Sequence, residues 1–139
     1  MSARHKARKR ALDLLYEAEI KSLPLTEIWQ QRMDADDQPA NSYTEQLVLG
    51  ISLNLDAIDA KISQVSTGWR LDRMSPVDRS ILRIATYEIL FRPEIDLAVA
   101  INESVLLAKE ISGDEAPGFI NGVLGAVARL PEAIARSAV

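Results

Sequence analysis

Apolar residues recur along this chain at intervals of three and four, the spacing of one face of an α-helix. Ala7, Ala11, Leu14, Leu15 and Ala18 predict an amphipathic helix over about residues 4–21. Pro24 closes it, and Leu25, Ile28 and Trp29 predict a short second helix before the polar stretch at 34–41. Ser42 and Glu45 then form a capping box, and Tyr43, Leu47, Ile51, Leu55, Ile58, Ile62 and Val65 run down one face. That face predicts one long helix, or two that part near Asn54. Ser75, Pro76 and Asp78 supply a cap, a proline at the first helical position and an acid at the third. The helix they start places Ile81, Leu82, Ile84, Ala85 and Ile89 inward, with Arg79, Arg83 and Thr86 as a polar stripe, and ends at Arg92-Pro93. Two more helices fit 98–111 and 117–129, and a terminal one follows Pro131. The pattern predicts an all-α protein of about seven helices, with no β-type alternation, repeat or sustained heptad to compete.

A chain of 139 residues, 47% hydrophobic and 26% charged, fits one domain over 1–139 with one core. No run of 18 apolar residues occurs, and the basic N-terminus lacks the apolar stretch of a secretory signal, so a cytoplasmic protein without membrane contact is expected. Cysteine is absent and His5 is the only histidine, which removes disulfides, thiolate nucleophiles, histidine acid–base pairs and the usual zinc sites. The carboxylates of Asp34, Asp36 and Asp37, and of Asp114 and Glu115, sit beside proline and glycine, where solubilising acids are common and catalytic ones rare. No catalytic site, metal or cofactor is expected.

Charge changes the picture. The formal net charge is −4, yet residues 1–10 hold Arg4, Lys6, Arg8, Lys9 and Arg10 and no acid, while the other 129 residues hold 11 basic and 20 acidic side chains. A basic arm on an acidic body points to one local polyanion site, or else to a solubilising tail. Helical periodicity begins inside the arm, so its cations project from a helix. Large apolar residues are nearly absent from 1–10, so the arm is expected to be separable from the core. Among the aromatics, Trp69 reads as a packing residue in a connection between helices. Phe119 is more open, starting a helix beside Gly118 and Asn121, where unpaired backbone N–H groups favour a phosphate.

Four segments together resemble the NusB family: RKRALDLLYEAE at 8–19, PVDRSILRIATYEI at 76–89, AINESVLLAKE at 100–110 and GFINGVLG at 118–125. Residues 22–41 match poorly. The resemblance implies two small helical bundles packed together and a role in bacterial transcription antitermination. It implies binding of the boxA element of ribosomal RNA leader transcripts together with NusE, a protein of the small ribosomal subunit, within the RNA polymerase elongation complex. Carried over by position, it implies RNA contacts from Arg4, His5, Lys6, Arg8, Lys9 and Arg10, and from Arg79, Phe119 and Asn121. Tyr16 and Asp78 are implied as partner contacts. Gly118 stands where relatives can carry a lysine, which puts one phosphate contact in doubt. Two other readings stay open: a homodimeric or larger helical scaffold with a basic tail, and a relative of the NusB-like domains of ribosomal RNA cytosine methyltransferases.

Overall fold

A computed structural model describes residues 2–35 and 42–137; the acidic stretch from Asp36 to Asn41 lies outside them. Among the described residues there are seven α-helices and no strand: α1 Ala3–Lys21, α2 Leu25–Ala35, α3 Ser42–Val65, α4 Pro76–Phe91, α5 Leu97–Ile111, α6 Ala116–Ala128 and α7 Pro131–Ser137. The helices end for local reasons. Ser2 Oγ accepts from the His5 N–H at 3.1 Å and starts α1. Its end comes two residues before Pro24, where Ser22 turns into the left-handed region at φ 55° and the Leu23 N–H closes on Ala18 O at 3.0 Å. Asn54, at φ −118° and ψ 16°, breaks the helical geometry inside α3, so two helical pieces meet at a kink at the residue where the sequence left one helix or two open. Ser75 caps α4 through the Asp78 N–H at 3.1 Å, and Asp96 caps α5 through the Ala98 N–H at 2.9 Å. A 3₁₀ turn at Leu71–Arg73, absent from the sequence expectation, links α3 to α4.

α4 is the axis of the fold. It packs against α1 and α3 on one side and against α5, α6 and α7 on the other, which joins the two helical sets. A helix so enclosed must be apolar nearly all round, and from Ser80 to Ile89 every residue of α4 but Arg83 is buried. Gly50 lets α3 approach it, because a Cβ there would lie 2.1 Å from the Tyr87 hydroxyl. The buried side chains form one continuous cluster from Ala7 to Ala133.

The N-terminal arm belongs to this core, contrary to the expectation that it is separable. His5, Ala7 and Arg8 are buried, because α1 turns this face onto α4 and α5.

Candidate nucleic-acid interface

The cations of α1 divide by helix face. Lys6, Lys9, Arg10 and Asp13 follow the three- and four-residue spacing of one outward face. Lys6 and Arg10 are exposed, and Lys9 is partly exposed with its Nζ 3.7 Å from Glu110. Arg4 leaves by another side, its guanidinium 5.2 Å from the centroid of the Tyr43 ring. The outward face continues toward the C-terminus of α1 with Tyr16, 42% exposed, and Ile20. One helix therefore offers a cationic end and an amphipathic end.

The inward face holds these groups in place. Arg8, 1% exposed, directs Nε at both oxygens of the fully buried Glu88, at 3.1 and 3.0 Å. The Tyr43 hydroxyl donates to the same carboxylate. Burial raises the Glu88 carboxyl above its usual range, opposed by Arg8 and Tyr43. Burial, then the charge of Glu88, pushes the Tyr43 phenol up, so it stays protonated and donates. His5 is clamped to α5, with Nδ1 2.5 Å from Glu103 and Nε2 3.1 Å from Glu110. As placed, His5 and Arg8 present nothing to a strand outside. In this arrangement they anchor the helix that carries the others. Charge alone did not show it, since an arginine in a basic run reads the same whichever way its face points.

Arg79 is likewise engaged within the protein. Its Nη1 donates to the carbonyls of Leu71 and Met74, at 2.7 and 2.9 Å, and its Nη2 to Glu19. Arg83 makes a bidentate pair with Asp59, at 2.8 and 2.9 Å. The polar stripe of α4 thus braces α1, α3 and the connection before α4.

Asp78 accepts from Ser112 Oγ at 2.6 Å, which ties the start of α4 to the end of α5. Two residues earlier, Glu110 meets His5 and Lys9. The arm, the last turn of α5 and the first turn of α4 are therefore joined in series. Asp78 also borders a small pocket of about 170 Å³ with Phe119, Trp69 and Arg73. Phe119 is half-buried and meets Trp69 edge to face, ring centroids 5.8 Å apart at 64°. Its N–H is already bonded to Glu115 O at 3.3 Å, so the unpaired donors expected there are not supplied by Phe119. Asn121 is exposed but lies about 200° around α6 from Phe119, on another face. Trp69, expected to pack, is 58% exposed. A helix-flanking position told nothing of its exposure, because the connection carrying it runs over the surface.

The model of the NusB family matches residues 5–129. The chain belongs to the NusB family. It is 48% identical to the transcription antitermination protein NusB of Arthrobacter sp. (strain FB24) over 130 residues, which cover 94% of this chain and 96% of that one. The solved structure of T. maritima NusB superposes with a TM-score of 0.85 at 30% identity, covering 99% of both chains. A structure of antitermination factors NusB and NusE in complex with dsRNA matches at a TM-score of 0.77 and 24% identity, covering 91% of this chain and 97% of that one, which shows the shared fold. Among the described residues no helix is long and apolar enough to cross a membrane.

Proposed function

We propose that this NusB-family chain is a cytoplasmic antitermination factor that binds boxA-type RNA together with NusE and catalyses nothing. The observation that carries the reading is the fixed cationic end of α1: Lys6, Lys9 and Arg10 point outward from a helix whose inner side is locked by the buried Arg8–Glu88 pair. Cations carried on a preset helix neutralise phosphates and release counterions without the cost of ordering the backbone. Phosphate contacts alone do not select a sequence, so the half-buried Phe119 is proposed to meet a base, and Asn121, on another face of α6, a separate part of the strand. The carboxylates nearest the arm, Glu103 and Glu110, are engaged by His5, and Glu110 also by Lys9. NusE is proposed to dock on the end of this face marked by Tyr16 and on the Asp78 junction, beside the RNA.

The test is fluorescence anisotropy of a labelled boxA-type oligoribonucleotide, with and without NusE. Replacing Lys6, Lys9 and Arg10 together by alanine should weaken binding at least tenfold while the melting curve stays in place. Unchanged affinity in low salt would overturn the assignment.

A further inference from the structure

A cleft lies beside the aromatic pair, between the C-terminal half of α3, the connection at 66–73 and the polar stripe of α4. It measures about 870 Å³. Gly68, at φ 88°, makes the turn, and the Trp69 N–H and carbonyl both bond Ser66, at 3.1 Å each, so the turn that carries the indole is fixed. Trp69 lines both this cleft and the small pocket of Phe119, and so forms the ridge between them. Trp69 stays exposed beside Phe119, so aromatic surface is left for a flat ligand.

The charges on the cleft wall decide what enters. Glu19, Asp59 and Asp72 face Arg70, Arg79 and Arg83 in equal number, and Arg79 and Arg83 are taken up by Glu19 and Asp59. A phosphate would find no net attraction inside. A neutral base would find the indole and the hydroxyls of Ser63 and Thr67. Arg73, exposed at the rim on the Phe119 side, is placed for the backbone phosphate that stays outside.

We propose that this cleft takes one unstacked nucleobase of the bound RNA strand on the face of Trp69, with the following phosphate at Arg73. The inference rests on the RNA-binding reading above and adds to it a base-sized receptacle beyond Phe119. The chain has two tryptophans and Trp29 is buried, so Trp69 in a Trp29→Phe background is a single reporter. Its emission is titrated with a boxA-type oligoribonucleotide, with AMP and UMP, and with NusE, and strand binding is followed independently by anisotropy. The strand should quench Trp69 with the anisotropy midpoint, while mononucleotides should need at least a hundredfold higher concentration. Trp69→Ala should lose on the order of tenfold in strand affinity and Trp69→Phe much less, both melting as the parent does. Anisotropy showing tight strand binding with Trp69 emission unchanged, or full affinity in Trp69→Ala, overturns the cleft and leaves the RNA reading standing. Quenching by NusE alone assigns the ridge to protein and also overturns it. Mononucleotides binding as tightly as the strand overturn the strand as the source. No strand binding at all overturns both.

Discussion

The side chain on which the arm depends is Arg8. A buried ion pair contributes little net stability compared with an apolar replacement, but breaking one half strands the other charge. Arg8→Met should therefore cost about 3–5 kcal/mol, and Arg8→Met with Glu88→Leu should recover most of it, as read by denaturant unfolding. The sign of the pH dependence follows from Glu88, whose carboxyl is already raised by burial and which would lose its main opposing cation. With the folded value above the unfolded one, the folded state holds its proton more tightly, so the penalty is present at neutral pH and relieved on acidification. The gap in stability between Arg8→Met and the parent should narrow from pH 7 toward pH 5; a constant gap would show that Glu88 does not titrate in that window. His5 and Arg8 could not be told from Lys6 and Arg10 in the sequence, since all share one basic run and only the packing of α1 on α5 and α4 separates them.

Helix faces were far more legible than the roles of individual cations. The apolar spacing of α1 and α4, the serine cap and proline at 75–76, and the breaks at Pro24 and Pro93 located the helices because these signals are local. The 3₁₀ turn at Leu71–Arg73 left no such mark, since it is held from outside by the Arg79 guanidinium on Leu71 O and Met74 O. Nor did Gly50 announce its role, which depends on Tyr87 from another helix. Gly50→Ala should cost about 1–3 kcal/mol, because the overpacked methyl must displace a ring already stacked on Phe91; a stability gain by chemical denaturation would mean the ring moves freely. On α1, Lys6→Ala should flatten the salt dependence of RNA affinity by about 0.7 in log–log slope, the share of one single-strand phosphate. Arg8 cannot serve for that measurement, because its loss damages the fold first. Deleting residues 2–10 would fail for the same reason, taking His5, Ala7 and Arg8 from the core.

Across the whole molecule, the acidic body sets how RNA and a protein partner depend on each other. The −9 outside residues 1–10 repels a strand that runs beyond the arm, so a basic partner lying over those acids would raise RNA affinity. Coupling in binding is reciprocal: RNA must raise NusE affinity by the same factor as NusE raises RNA affinity. Asp78 is the proposed partner contact, and its hydrogen bond to Ser112 offers a way to separate charge from architecture. Asp78→Ala and Ser112→Ala both break the link between α4 and α5, whereas only the first removes a carboxylate beside the Phe119 pocket. The Ser75 cap survives in both, since it engages the backbone N–H of Asp78 rather than its side chain. If the link alone matters, the two variants should melt and bind alike. If the carboxylate meets NusE, Asp78→Ala should lose NusE affinity by about tenfold more than Ser112→Ala, with no loss of RNA binding in the absence of NusE relative to Ser112→Ala. Calorimetric titration of each variant with NusE and with boxA-type RNA reads both legs of the cycle. Equal NusE affinities in two stably folded variants would return Asp78 to a purely structural role and leave Tyr16 and Ile20 to carry the proposed contact.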